Sequence, residues 1–406
     1  MNEYTNADAT PDMIESSEER THVPANFADS AVITRAADAE IRATIADAGI
    51  TWEQYPRHDW SGNADGTATA KAYAMQGILK YHGLADWHWR TAFMPSISVN
   101  NDAAHTITRV DFDGGLTTDI LTIDGEPKQG RPLERVARLL DHVRGLAGST
   151  NRARVQSHNV LAAGSAAKGI GTSAAAGAAL ATAALAAALG PEAVGDLRLV
   201  SCTARLLAGS ACRSAVGGLA LWLSYPGIAH HDCFAVRLDT GKQLADLRLI
   251  TVPIESRAGL QTEQAHRVAP ASALFRAWIH SRRDDILACL QATSQGDWET
   301  LGRFAELDSL RLHGVTMSAG SEHALIAWEP ETVSLFHMCH RLRENGVPVF
   351  FSTDTGPTTV FLTHVDYQHE VMDSISTLGM GVEIFSGRVA GPATLLPPKH
   401  EEAVGL

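Results

Sequence analysis

The chain has 406 residues, a formal charge of −13, 45% hydrophobic and 19% charged residues. That length holds two ordinary domains with their own cores, and the balance is that of a globular rather than a disordered protein. The negative charge argues against nucleic-acid or anionic-membrane partners, but not against a phosphorylated small molecule, which local lysines and arginines would hold.

Residues Met1 to Glu19 are acidic and polar without periodicity and read as a mobile tail, with no basic segment and apolar core to mark a secretory signal. Apolar Ile33, Ala37, Ile41, Ile45 and Ala48 recur at helical spacing, so a helix is expected from Ala31 to Ala48, with Ser30 as N-cap and Gly49 closing it. The turn-rich stretch that follows carries Trp52, Tyr55 and Trp60, which would staple an N-terminal extension, residues 1–66, onto the body. From Thr67 the pattern suggests a strand, a turn near Gln76-Gly77 and a second apolar piece ending in Lys80, Tyr81 and His82. Strand-like segments follow around Ile97 to Val99, Ile107 to Phe112 and Ile120 to Ile123. The D-G-G at Asp113 and the Asp124-Gly125 pair punctuate them like antiparallel hairpins. Leu133, Val136, Leu139, Leu140 and Val143 predict an amphipathic helix over Arg131 to Ala147, and a strand over Ala153 to Ser157 comes next.

The stretch from Asn159 to Gly190 begins as a loop of small residues and becomes an alanine-rich helix. Its length and single charge, Lys168, are compatible with a membrane span, but alanine is a poor anchor and no aromatic or basic belts flank it. A close-packed core helix and a phosphate-binding helix start are both open, and compatible. Gly169, Gly171, Thr172 and Ser173 would put backbone N–H groups and two hydroxyls at the positive end of the helix dipole. Helix is expected again from Leu197 to Leu207, leading into small residues around Ser210, Arg213 and Ser214 where an anionic group could be clamped. Leu247 to Ile254 reads as a strand near a domain boundary, dividing residues 67–250 from 251–406. Helical pattern runs from Ala271 to Leu312 and from Glu331 to Asn345, and Val347 to Thr363 reads as strand, turn, strand, with Asp354 in the turn. The five cysteines, Cys202, Cys212, Cys233, Cys289 and Cys339, are odd in number and at no metal-ligand spacing, as expected of reduced, mostly buried thiols in a cytoplasmic protein.

Taken in order, these motifs resemble one family. Gly169-Ile170-Gly171-Thr172-Ser173-Ala174 is similar to the core of the phosphate loop of the GHMP kinase superfamily, P-x-x-x-G-L-x-S-S-A. Lys80-Tyr81-His82-Gly83-Leu84 resembles the K-Y-W-G-K of the mevalonate-diphosphate decarboxylase branch, and Gly209 to Gly218 its G-S-A-C-R-S-x-x-G-G. Ser256-Arg257-Ala258-Gly259-Leu260 resembles its S-S-R-x-G-M, and Asp354-Thr355-Gly356-Pro357 its D-A-G-P. The match runs from Thr67 to the end of the chain, and A-T-A-K-A-x-x-x-Q-G-x-x-K-Y-H-G is nearest to archaeal-type phosphomevalonate decarboxylases.

The resemblance implies a two-domain α+β GHMP-type fold, with an N-terminal ribosomal-protein-S5-domain-2-like unit, a ferredoxin-like C-terminal unit and the active cleft between them. It implies an ATP- and Mg²⁺-dependent decarboxylation of a 5-phosphorylated mevalonate, most simply phosphomevalonate to isopentenyl phosphate in isoprenoid biosynthesis. The alternatives are a diphosphomevalonate decarboxylase, an ATP-independent mevalonate 3,5-bisphosphate decarboxylase, a mevalonate 3-kinase and an inactive binding relative. Carried over by motif, Asp354 orients or deprotonates the 3-hydroxyl, Lys80 and the loop of Lys168, Gly169, Gly171, Thr172 and Ser173 stabilise the transferred phosphoryl, and Arg213 with Ser210 holds the substrate carboxylate. Tyr81, Ser256 and Arg257 match contacts on the substrate's phosphate end, and Ser173 or Thr172 would assist Mg²⁺. Homodimers are common in the family.

Three departures bear on the reaction. The second lysine of K-Y-W-G-K is Leu84, which favours a monophosphate over a diphosphate, and its tryptophan is His82. The loop proline is missing, with Ser165 at about that place, and the added Lys168 would either strengthen nucleotide binding or occupy the space ATP needs. Other candidate groups, His230-His231-Asp232-Cys233 as a metal site, His337 with His340, and Lys168 as a Schiff-base lysine, lack the spacing or surroundings such chemistry needs.

Overall fold

The computed structural model describes residues 22–51, 54–161, 171–239, 243–257, 262–319 and 325–397. The proposed tail from Met1 to Glu19, together with Trp52, Ser165, Lys168, Gly169, Ile170, Ala258, Gly259 and Leu260, lies outside them.

Helix α1, Ala28–Asp47, begins earlier than its apolar period suggested. Ser30 is therefore not a cap: it lies buried inside the helix, and its Oγ meets His280 Nε2 at 3.2 Å. The aromatic staple behaves as expected where it is described. Tyr55 packs on Phe234 and accepts the Arg237 N–H, while Trp60 donates to Asp196, the residue that also caps the helix at Leu197.

The first sheet is built from β1 (Thr67–Leu79), β4 (Ser96–Asp113), β5 (Ile120–Ile123), β6 (Glu126–Lys128), β7 (Arg152–Leu161), β8 (Leu219–Trp222), β9 (Ala235–Arg237) and β14 (Thr394–Leu395), with a small β2–β3 hairpin (Leu84–Asp86, Thr91–Ala92) beside it. Its order is β14-β1-β4-β7-β5-β6, with β8 and β9 continuing from one end of β4. Two expected turns are absent. Gln76-Gly77 lies within β1, where the register against β4 shifts at Tyr73/Ala74 and at Gly77/Leu79, so irregular pairing rather than a turn bends the strand. The D-G-G after β4 makes no hairpin, because β5 pairs parallel to β7. Asp124-Gly125 does turn β5 into β6, with φ of 52° and 80°, the two left-handed residues that a tight two-residue hairpin demands.

The helices α2 (Arg131–Ala147), α3 (Thr172–Leu189), α4 (Leu197–Arg205) and α5 (Ala211–Val216) cover this sheet. α2 has the predicted bounds: Pro132 opens it and Gly148, left-handed at φ 61°, closes it. α3 is apolar and long enough to cross a membrane by composition, yet it is largely buried inside the protein. Its alanines let it lie against β1 and β4 on one side and α4 and α5 on the other.

The second sheet, order β11-β12-β10-β13, comprises β10 (Leu247–Val252), β11 (Val349–Ser352), β12 (Thr359–His364) and β13 (Phe385–Arg388), all antiparallel. Around it lie α6 (Thr262–Val268), α7 (Phe275–Gln295), α8 (Trp298–Met317), α9 (Pro330–Glu344) and α10 (Gln368–Ser376). The chain changes sheet between β9 and β10, so a boundary at residue 250 passes through β10. The last segment returns to the first sheet: Ala390, Ala393 and Leu396 donate to Asn100, Ala215 and Thr69. All five cysteines are free and buried.

The α3–α5 contact depends on Gly177, where an added Cβ would stand 2.6 Å from that of Ala211. Gly177→Val should lower stability by about 1–3 kcal/mol, the usual effect of forcing methyl groups into a packed contact. Urea unfolding measures this, and an unchanged midpoint would show that α5 yields freely.

Candidate active site

Lys80 follows the last residue of β1, at the seam between the two sheets. Its ammonium is buried and donates to Gly77 O (2.9 Å), Ala305 O (3.2 Å) and Ser352 Oγ (3.0 Å), acceptors from β1, α8 and β11. Ser352 Oγ in turn donates to Gly77 O at 2.9 Å and accepts from Gln76 Nε2 at 2.8 Å. Behind them Asp308 accepts the Lys80 backbone N–H (2.6 Å) and the Trp278 indole (2.7 Å), and pairs with the buried Arg282 at 3.0 Å. Burial lowers the Lys80 ammonium to about 8, although the carboxylates of Asp354 and Asp308 hold it up.

Asp354 stands just past β11 and faces this group. Gln76 Nε2 lies 3.3 Å from its Oδ1, the Gly77 N–H donates to it, and its own carbonyl is 2.8 Å from His313 Nε2. Gly77 must be small here, since a Cβ would come within 3.0 Å of both Asp354 Oδ1 and Lys80 Cγ. Burial raises the Asp354 carboxyl, while Lys80, Arg213 and the Gly77 N–H lower it.

Arg213, on α5, is 2% exposed, and among the described residues its Nε and Nη1 have no hydrogen-bond partner. Its guanidinium lies 5.5 Å from the centre of the Tyr81 ring, which is stacked on His266 at 5.1 Å. The Ser210 N–H donates to the Tyr81 hydroxyl, and Gly209 leaves room for that hydroxyl, 2.6 Å from where a Cβ would be. A guanidinium with two desolvated donors unused calls for an anion.

These groups share one cleft of about 950 Å³, its mouth included, lined by Lys80, Tyr81, Gly171, Thr172, Ser173, Ser210, Arg213, Ser256 and Asp354. Gly171 is left-handed at φ 77° and lies so close to Met75 that no side chain would fit, which brings the start of α3 to the cleft wall. Among the described residues no side chain caps the first turn of α3, so that turn and the hydroxyls of Thr172 and Ser173 suit a phosphate, and Ser173 also borders a neighbouring pocket with Arg135 and Leu207.

Arg257 does not line the cleft. It is exposed and held by Glu331 (3.1 Å) and Glu329 (3.7 Å) at the start of α9. Leu84 is buried in β2 and does not line the cleft either. Of the groups outside the resemblance, His230 is buried with Arg205 on its Nδ1, and His340 is exposed beside Glu306. Among the described residues no cluster of His, Cys, Asp or Glu is placed to hold a metal. Sequence reasoning missed Ser352, His313, Asp308 and Arg282, whose only signal was a charged or polar residue inside an apolar helix or strand. Gln76 did stand in the quoted motif, without a role.

Known proteins resemble this arrangement. Residues 72–235 match the diphosphomevalonate decarboxylase-like N-terminal domain. The phosphomevalonate decarboxylase of Haloferax volcanii is 36% identical over 337 residues, 81% of this chain and 97% of that protein. The mevalonate 3,5-bisphosphate decarboxylase of Thermoplasma acidophilum is 28% identical over 73% of this chain and 70% of that protein. Mevalonate diphosphate decarboxylase from Staphylococcus aureus superposes with a TM-score of 0.75 at 26% identity, over 82% of this chain and 98% of that one. MDDEF, solved in complex with MVAPP, AMPPCP and magnesium, gives 0.75 at 25% identity over 82% and 99%.

His82, the departure from the family tryptophan, is buried with both ring nitrogens unpartnered among the described residues, and burial lowers it to about 4. Since the folded state then binds fewer protons than the unfolded one below pH 6.5, its contribution is present above that pH and lost as pH falls towards 4. The separation corresponds to about 3 kcal/mol at most. His82→Phe should flatten the pH dependence of unfolding free energy between pH 4 and 6.5; an unchanged slope would mean the ring is solvated.

Proposed function

As the chain belongs to the diphosphomevalonate decarboxylase-like family of the GHMP kinase superfamily, we propose that it decarboxylates mevalonate 5-phosphate, giving isopentenyl phosphate with consumption of MgATP. The observation that carries this reading is the buried guanidinium of Arg213, with two nitrogens unpartnered among the described residues, sharing a cleft with Asp354. The carboxylate end of the substrate needs a fixed cation, and its central 3-hydroxyl needs a base. Support for the monophosphate comes from the Haloferax relative and from an apolar Leu84 where the family carries a phosphate-gripping lysine.

Arg213 holds the substrate carboxylate through two charge-assisted hydrogen bonds, each worth about 1.5–3 kcal/mol. Asp354 accepts the hydrogen of the tertiary 3-hydroxyl and takes up its proton, a role that burial assists by raising its basicity. Lys80 has all three donors engaged by protein acceptors, so it acts through its charge, keeping Asp354 ionised and fixed, rather than by touching the phosphoryl. MgATP, when bound, supplies the phosphoryl group that makes the 3-oxygen a leaving group; Gly171, Thr172 and Ser173 would hold its phosphates, and Ser173 would assist Mg²⁺. Then the C–C bond to the carboxylate breaks, its electron pair forms the double bond, and phosphate leaves with the 3-oxygen as carbon dioxide departs.

The Thermoplasma relative favours a second reading, decarboxylation of a preformed 3,5-bisphosphate without nucleotide. One assay separates the two. Mevalonate 5-phosphate, its diphosphate and the 3,5-bisphosphate are each incubated with and without MgATP, and carbon dioxide and ADP are measured. The expected result is equal carbon dioxide and ADP from the monophosphate with MgATP; carbon dioxide from the bisphosphate alone, without nucleotide, would replace this reading with the second. Asp354→Asn should reduce turnover by roughly 10²–10⁴-fold, the range for a positioned general base, while MgATP still binds. Loss of nucleotide affinity in that variant would make Asp354 architectural.

A further inference from the structure

Asp354 can serve as a base only while its carboxylate stays fixed against the substrate hydroxyl, yet it lies in the connector between β11 and β12, beyond Ser352, the last paired residue of β11. We propose that His313, on α8, is the positioning residue for Asp354, holding the base in place through its backbone carbonyl, an inference that rests on the role given to Asp354 above.

His313 Nε2 stands 2.8 Å from the Asp354 carbonyl oxygen and 3.1 Å from Thr353 Oγ1. A carbonyl only accepts, so the ring proton is on Nε2 and is donated to it. The ring is 1% exposed and packs against the Trp328 indole, 4.6 Å from centre to centre, which supports its plane. Burial lowers the imidazole to about 3, and the nearby titratable groups, Lys80 and His82, push it in the same direction. The ring is therefore neutral at ordinary pH, with its single N–H committed to the residue that bears the base.

His313 ends a stripe along α8. Ala305, Ser309 and His313 recur every four residues and so share one face of the helix. The Ala305 carbonyl accepts from Lys80 at 3.2 Å and from the Ser309 hydroxyl at 2.7 Å, and Ser309 Oγ accepts the Thr353 N–H at 3.0 Å. One helix face thus holds the Lys80 ammonium, the start of the connector and the Asp354 peptide at fixed spacing. The far end of the connector is held from α9, where Thr332 donates to the Pro357 carbonyl at 2.9 Å. Between those two holds, Thr355 and Gly356 line the cleft. Without the His313 bond the Asp354 carbonyl loses its donor, and its peptide turns towards another partner, carrying the carboxylate with it. A ring kept only for packing would have no need of that N–H, so reach and donor character are what substitutions must separate.

The test compares wild type with His313→Gln, whose amide can reach the Asp354 carbonyl as Nε2 does, and with His313→Asn and His313→Leu, which cannot. Steady-state kinetics with mevalonate 5-phosphate and MgATP should show kcat lowered roughly 10²-fold in the Asn and Leu variants, the effect of about 1 Å of misplacement at a reacting group. KM for both ligands should change little, and the Gln variant should recover most of kcat. Crystal structures of the ligand-free Gln and Asn variants give a reading that needs no turnover and no Leu variant. The Asp354 carboxylate should keep its place beside Gln76, 3.3 Å away in wild type, in the Gln variant and leave it in the Asn variant. A carboxylate displaced in both variants or in neither overturns the inference, as does a loss that falls on KM rather than kcat. Displacement in the Asn variant alone with kcat unchanged supports the positioning and contradicts Asp354 as the base. Wild type that does not turn over mevalonate 5-phosphate contradicts the proposed reaction, and the two crystal structures then decide the positioning by themselves.

Discussion

An ammonium group without water around it is the constraint on which this structure turns. Lys80 has no solvent to complete its shell, so β1, α8 and β11 must each bring one acceptor to within hydrogen-bond distance. Those elements belong to two different sheets or their covering helices, and satisfying one cation therefore sets how the sheets meet. The charge is secured from behind by Asp308, which is shared by Arg282, Trp278 and the Lys80 backbone. Removing one member of such a buried set leaves another charge uncompensated, so the seam holds together as a unit.

The same arrangement prepares the chemistry. Asp354 is placed where burial raises its carboxyl and two cations, Lys80 and Arg213, oppose that rise. Lys80 is engaged by the protein, whereas Arg213 retains unused donors. One cation is thus structural and electrostatic and the other is left to meet an anionic ligand. The close approach of α3, made possible by alanines and by Gly171, completes the cleft with a helix start suited to phosphate.

Much of this was legible in the sequence, and the losses have physical causes. α2 was recovered at both ends because Pro132, a regular apolar stripe and Gly148 all act locally. The Gln76-Gly77 turn was misread because glycine there serves a close approach to Asp354 across the seam, which local propensity does not reveal. The D-G-G hairpin failed because a strand distant in sequence, β7, claimed the pairing of β5. Motif resemblance brought Lys80, Arg213 and Asp354 to one cleft, but it placed Arg257 there as well, and Glu329 and Glu331, around the start of α9, hold that side chain outside. Asp308, Arg282 and Ser352 show little of their role locally, since the partners that matter to the site, among them Lys80 and Trp278 for Asp308, come from elements more than twenty residues away.

Fold and site both turn on the state of Lys80. With lysine side chains ¹³C-labelled, the Cε resonance of Lys80, assigned by its loss in Lys80→Met, can be followed through a pH titration of the free protein. Titration near 8, moving lower still when Asp354 is replaced by asparagine because that carboxylate holds the ammonium up, is the expected result. A midpoint at the ordinary lysine value of about 10.4, unaffected by Asp354, would mean a solvated ammonium and would contradict the seam on which both fold and site depend.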